Sequence, residues 1–132
     1  MLRIAIPNKG QLAEPAKEML REAGYLQSGS QEKLVIHDPI NDAEFFFLRP
    51  KDVAIYVGSG KLDIGITGRD MLSDSGADAD EILDLGFGGS TFRLAAPIGT
   101  ATSIADVAGK RIACSYPTLL QNWLDENKIS AK

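Results

Sequence analysis

Three short stretches hold the side chains best suited to chemistry. Asn8-Lys9-Gly10 can present one ammonium and several backbone N–H groups to an anion if a helix begins just after it. Arg49 directly follows the apolar run Phe45-Phe46-Phe47-Leu48, where a guanidinium can grip a phosphate through two parallel hydrogen bonds. Asp70, closing Gly68-Arg69-Asp70, can accept hydrogen bonds from ribose hydroxyls or from an adenine amino group. Each has an ordinary use as well: a plain turn with a solvated lysine, an arginine paired with a nearby carboxylate, and the N-cap of a short helix. The lysine loop lacks the complete P-loop or dinucleotide fingerprint, so no motif specifies phosphate by itself.

The remaining chemistry-bearing residues read as structural. Asp78, Asp80, Glu81 and Asp84, followed by Gly86, Gly88, Gly89, Ser90 and Thr91, mimic an acidic and then glycine-rich phosphoribosyl-diphosphate loop. In such a loop the small residues should open a helix, whereas Phe92-Arg93-Leu94-Ala95 reads as a strand, so a hinge is the better reading. His37 is the single histidine, which leaves a His-based metal cluster or a Ser-His-Asp triad without support. Cys114 lies in an apolar run and is expected to be a buried small hydrophobe. Tyr116 can stack on a base or pack in a core, and Trp123 sits on an ordinary apolar helix face.

The candidate loops need elements to hold them. Leu2 to Ile6 reads as a buried strand, and Leu12, Ala16, Met19, Leu20 and Ala23 recur at helical spacing up to a capping Gly24. Residues 25–42 read as a loop with at most one edge strand, around Leu34-Val35-Ile36. Phe45 to Leu48 reads as a strand buried on both faces, and Pro50 opens a helix running to Gly58. Leu62 to Thr67 is strand-like, with a short helix over Met71 to Ser75 before Gly76. Further strands are expected over Ile82–Phe87, Thr91–Ala96 and Arg111–Cys114, and helices over Ser103–Val107 and Pro117–Asn127. Alternating strands and helices imply an α/β fold with a mainly parallel sheet, whose ligands collect at the carboxyl ends of the strands. The division expected is a first lobe over 1–91 and the start of a second over 92–132, the latter with too few elements to cover a sheet.

Composition sets the outer limits. The chain has 132 residues, 44% hydrophobic and 24% charged, close to ordinary globular usage. A net charge of −4 gives no global positive field to collect nucleic acid or an anionic membrane, so any anion must be held locally. A single cysteine excludes an internal disulfide and fits a reducing cytosol. The first apolar stretch ends at Pro7, too short for a leader or a spanning helix, so a soluble, cytoplasmic protein is expected.

In order along the chain stand Ile6-Pro7-Asn8-Lys9-Gly10, Phe45-Phe46-Phe47-Leu48-Arg49-Pro50, Gly58-Ser59-Gly60, Leu62-Asp63-Ile64-Gly65-Ile66-Thr67-Gly68-Arg69-Asp70 and Asp84-Leu85-Gly86-Phe87-Gly88, with Arg111-Ile112-Ala113 and Ser115-Tyr116-Pro117 behind them. Together these motifs resemble the ATP phosphoribosyltransferase family over nearly the whole chain. The resemblance implies a two-lobed, type II periplasmic-binding-protein-like core, apparently truncated here within the second lobe. It implies transfer of the phosphoribosyl group of phosphoribosyl diphosphate to N1 of ATP, releasing pyrophosphate, as the first step of L-histidine biosynthesis, with Mg2+ on the diphosphate substrate. It implies that Lys9, Gly10, Arg49 and Asp70 line the nucleotide part of the interlobe cleft, Lys9 and Arg49 in catalytic roles, and that Tyr116 approaches from the second lobe. An ATP- or AMP-type nucleotide and, in the complete enzyme, phosphoribosyl diphosphate are the implied ligands. An incomplete second lobe would also leave sheet edges and the Trp123 face uncovered, so a homo-oligomer is expected. Two departures stand out. Gln11 replaces the arginine many members carry beside the Lys-Gly pair, and the family's phosphoribosyl-diphosphate loop falls later than residue 132. The chain alone is therefore expected not to turn over.

Overall fold

The computed structural model describes residues 1–27 and 33–132. It divides into two compact units, Met1–Gly89 and Ser90–Lys132; the sequence had suggested a division two residues later. Part of the 25–42 loop expected from the sequence, residues 28–32, lies outside the described residues.

The first unit is a four-stranded sheet in the order β2-β3-β1-β4. Its strands are β1 (Leu2–Pro7), β2 (Val35–Asp38), β3 (Ala43–Leu48) and β4 (Ile64–Gly65). Central β1 runs parallel to both β3 and β4, with Ile4 opposite Phe45 and Ile64, while β2 is an antiparallel edge strand. The edge strand falls in the segment where a single one was expected, and it makes the sheet mixed.

Alternation along the central strands sends side chains to two separate cores. Ile4 and Ile6 of β1 and Phe45 of β3 pack with Ala16 and Leu20 of α1 (Ala13–Glu22). Ala5 faces the other way, with Val53 of α2 (Pro50–Gly58) and with Leu62, Phe46 and Leu48 at its side. The aromatic run Phe45-Phe46-Phe47 thus serves both faces, which is why it reads as continuous rather than alternating. Pro50 occupies the first turn of α2, where its missing N–H costs no helical bond. At the end of α1 the Gly24 N–H donates to the Arg21 carbonyl and the Tyr25 N–H to that of Leu20, the crossed pair that closes a helix end. Asp38, only 6% exposed, accepts from the Leu26 and Asn41 N–H groups and from the Asn41 side chain, tying the β2–β3 turn to the exit of α1.

The third short helix, α3, spans Arg69–Ser75 and ends at left-handed Gly76. Beyond it the expected strand over Ile82–Phe87 is not formed. Gly86 and Gly88 take φ of 74° and 71°, which breaks an extended run, and Ile82 and Leu83 stand exposed at 75% and 71%. Leu85 and Phe87 nevertheless pack on the α1-side core.

The second unit holds a short 3-10 turn, Ile104–Val107, and α4 (Pro117–Glu126). Ser103 and Asp106 form a reciprocal capping box at the start of the 3-10 turn. Neither Thr91–Ala96 nor Arg111–Cys114 is a strand, because a strand exists only with a hydrogen-bonded neighbour. Residues 110–112 do find a partial one. Lys132 donates to the Lys110 carbonyl and accepts from the Ile112 N–H, at 2.8 and 2.7 Å, the slanted pattern of a parallel pair. The α4 helix lies between these two short paired segments in the chain. Cys114 is exposed rather than buried, since no second layer covers its segment, and its sulfur accepts from the Tyr116 N–H at 3.1 Å.

Candidate nucleotide-facing site

The sheet order decides which loops meet. Pro7 lies opposite Leu48 in the β1–β3 register, and Ala5 lies opposite Gly65 in the β1–β4 register. The loops leaving β3, β1 and β4 therefore emerge side by side along one edge, bringing Arg49, Lys9 and Asp70 to adjacent positions. Asn8 N–H donates to the Leu48 carbonyl at 2.8 Å, stitching the lysine loop to the end of β3. After β1 the chain turns to α1 on one face, and after β3 to α2 on the other, the chain reversal at which α/β sheets commonly take ligands.

Lys9 is exposed, and its ammonium makes no ion pair or hydrogen bond among the described residues. Gly10, also exposed, takes a φ of 86° and turns the chain toward α1. Arg49 sits at the N-cap of α2, largely exposed, with Nε donating to Asp52 Oδ2 at 2.7 Å. That hydrogen bond, followed by the Asp52 charge, raises the guanidinium pKa above its already high range. Pairing with a carboxylate and gripping a phosphate were alternatives in the sequence. The geometry allows both, because Asp52 is bonded through Nε and the side chain is mostly exposed.

Asp70 is not the N-cap of α3. Gly68 takes that place and Asp70 is the second residue of the first turn, its Oδ1 accepting the Met71 N–H at 2.8 Å. The helix begins two residues earlier than expected, at Arg69. Its guanidinium forms a two-point pair with Glu81, Nε to Oε2 at 2.8 Å and a terminal nitrogen to Oε1 at 2.6 Å, with Asp84 at 3.9 Å. Two of the four acidic residues that superficially mimic a diphosphate-sugar loop, Glu81 and Asp84, are thus engaged in holding Arg69. The Glu81 hydrogen bond, then the Glu81 and Asp84 charges, raise the Arg69 pKa, and Arg69 in turn holds the Glu81 carboxyl below its ordinary range.

Tyr116 belongs to the second unit, at the N-cap of α4, its ring edge-on to Phe92 at a centroid distance of 5.2 Å and 77°. It occupies the turn between the 110–112 segment and α4, the same kind of strand-to-helix turn that carries Lys9 and Arg49. His37 is exposed, with Nδ1 3.6 Å from Glu44. Among the described residues no three His, Cys, Asp or Glu side chains converge to hold a metal ion.

Two participants were not visible in the sequence. Thr67, at the end of β4, has a buried hydroxyl oxygen with no hydrogen-bond partner among the described residues, and nothing in its spacing marks it. Leu12, apparently the first apolar position of α1, is instead its N-cap, with no side-chain capping bond. A capping position held by leucine rather than Ser, Thr, Asp or Asn was the available signal.

Comparison with known proteins gives the family and the fold. The family model described as HisG, ATP phosphoribosyltransferase, matches residues 49–132. The ATP phosphoribosyltransferase of Saccharopolyspora erythraea is 61% identical over 132 residues, 99% of this chain and 47% of that one. That of Mycobacterium tuberculosis is 58% identical over 131 residues, 99% of this chain and 46% of its own length. The chain therefore spans about half the length of the curated relatives it matches. Among solved structures, the ATP phosphoribosyl transferase (HisG:HisZ) complex from Thermotoga maritima aligns with a TM-score of 0.70 at 24% identity, covering 100% of this chain and 62% of that one. That likeness establishes the fold, α/β and of the type II periplasmic-binding-protein-like kind. With a family model matched over more than half of its residues, and the strand-end loops of its first unit in the expected order, the chain belongs to the ATP phosphoribosyltransferase family.

Proposed function

We propose that this chain supplies the nucleotide-side part of an ATP phosphoribosyltransferase site in L-histidine biosynthesis, in the cytoplasm. The observation that carries the reading is the alignment of the β3, β1 and β4 exits, which sets Arg49, Lys9 and Asp70 along one edge with both cations exposed. In the reaction, adenine N1 attacks the anomeric carbon of phosphoribosyl diphosphate as the bond to the diphosphate oxygen breaks. The bonding pair leaves with pyrophosphate. The sugar passes through a state with oxocarbenium character, so positioning and charge stabilisation supply most of the acceleration.

Lys9 and Arg49 are the groups to stabilise phosphate charge, and the Gly10 turn lets the chain pass close to the ligand. Asp70 keeps Oδ2 for a ribose hydroxyl or the adenine amino group while Oδ1 holds its own helix turn. Tyr116, a ring at the start of α4, is the residue proposed to stack on the base. Magnesium enters with the diphosphate, whose charge it neutralises. The described residues provide no converging donor set for it, so no step is assigned to a protein-held ion. The leaving-group cation that many members carry beside the Lys-Gly pair is Gln11 here, which leaves Lys9 and Arg49 to carry that load. The diphosphate-sugar loop is expected outside residues 1–132, and association with further chains, including copies of itself, belongs to the same reading.

Calorimetric titration of the chain with AMP and ATP tests it. Saturable binding is expected, weakened about tenfold or more in Arg49→Ala, with no pyrophosphate release above blank when phosphoribosyl diphosphate and Mg2+ are added. Absence of saturable binding to the parent chain would overturn the reading. Turnover by the isolated chain would overturn its restriction to the nucleotide side.

A further inference from the structure

Leu12 lies in the loop between β1 and α1, beside Gly88 and near Gly68. It caps α1 with a helical backbone (φ −88°, ψ −15°) and no side-chain bond to the first turn. Position for position this is a poor capping residue, so its value lies in what the side chain touches. A Cβ built on Gly68, the N-cap of α3, would lie 3.8 Å from Leu12 Cδ1. A Cβ built on Gly88 would collide with Leu12 Cδ2, and Gly88 sits at φ +71°, a conformation that side-chain-bearing residues rarely take. The half-buried Leu12 side chain thus takes the room a side chain on Gly88 would need and comes near the Gly68 position, where Asp70 is the nearer neighbour.

That segment is fastened at its other end too. Glu81 and Asp84 hold Arg69 in the first turn of α3, and Asp84 Oδ1 accepts the Gly86 N–H at 2.9 Å. Leu85 and Phe87 are fixed between these points on the α1-side core. Residues 81–88 form a strap from the start of α3 to the start of α1, and Leu12 is where it closes.

We infer that Leu12, seated beside Gly88 and near Gly68, locks these segments and is a positioning residue that sets the spacing between the Lys9-Gly10 turn and the Asp70 turn. Its consequence for ligand affinity rests on the nucleotide reading above, but the lock itself does not. Gly88→Ala inserts a methyl into Leu12 and Leu12→Ala removes the group it meets. The pair therefore forms a double-mutant cycle with a defined sign.

The test uses the full 132-residue chain, labelled with 15N, as the parent, Leu12→Ala, Leu12→Met, Gly88→Ala and the double variant. In Leu12→Ala the amide resonances of Lys9 and Gly10 are expected to shift together with those of Gly68 and Asp70 at the start of α3, positions that a defect confined to α1 would not link. Leu12→Met, which refills the space, restores them. AMP affinity falls about threefold or more in Leu12→Ala and recovers in Leu12→Met. Gly88→Ala lowers the denaturation midpoint, and adding Leu12→Ala returns part of that loss. Shifts confined to residues 9–16, or strictly additive midpoints in the cycle, would overturn the inference. If the parent binds no AMP, the nucleotide reading falls, and the amide shifts and the cycle still decide the lock.

Discussion

Both units carry apolar residues at strand and helix spacing, yet they bury them very differently. In Met1–Gly89 the sheet has a helix on each face, and Phe45, Ile6 and Val53 are fully enclosed. In Ser90–Lys132 the only fully buried hydrophobic among the described residues is Leu124, while Phe92, Leu94, Ile98 and Ile104 stand exposed. The second unit does not lack apolar content. It lacks layers, because one helix and one short parallel pairing give its extended segments nothing to pack against. An apolar pattern becomes a core only when a second layer arrives to cover it. Where the layer is present, strand ends are registered to the residue, as at Pro7 and Leu48.

The sharpest way to break this contrast is at Phe45, which is wholly enclosed and packs on Tyr25 edge-to-face. Phe45→Ala is expected to cost about 3–5 kcal/mol, shown by the denaturant midpoint of the first unit. A drop no larger than that of a surface substitution would mean the sheet is not one cooperative core. Leu124→Ala in the second unit should cost less, about 2 kcal/mol, because a sparsely covered site collapses easily. Hydrogen exchange would show faster opening confined to α4, with the protection of β1 and β3 unchanged; spread of the effect into those strands would contradict separate units.

The smallest effect is set by pH. Hydrogen bonds from the Asn41 side chain, opposed by partial burial and joined by backbone donors, hold the Asp38 carboxyl below its ordinary value of 3.8. The unfolded chain then takes up protons first as pH falls. Stability from Asp38 is complete above the ordinary value and is lost as pH drops through the lower folded value. Asp63, bonded to Arg3, and Glu81, bonded to Arg69, add in the same direction. Denaturant midpoints should therefore be flat near neutral pH and decline below about pH 4, less steeply in Asp38→Asn. A midpoint that rises on acidification would refute the assignment.

Legibility followed local physics. The strand Leu2–Pro7, the α1 periodicity with its Gly24 closure, and Pro50 opening α2 were readable because each depends on residues a few positions apart. The strands expected over 82–87, 91–96 and 111–114 failed because pairing is non-local, and an apolar run carries no record of whether a neighbour is there. Cys114 was misjudged for the same reason. At the site, Lys9 and Arg49 were legible as cations at strand ends. The capture of Arg69 by Glu81, twelve residues on, and the wedge at Leu12 were not.

What the sequence by itself determined is membership: ordered motifs at strand ends, and the α/β alternation that delivers them. Only the tertiary structure decided that β1 lies between β3 and β4, and so that the loop carrying Lys9 leaves the sheet between the exits of β3 and β4. Strand order is a choice among packings of similar local geometry. It is settled by which faces bury Phe45, Phe46 and Ala5 together, a matter of non-local burial that no single stretch of sequence encodes.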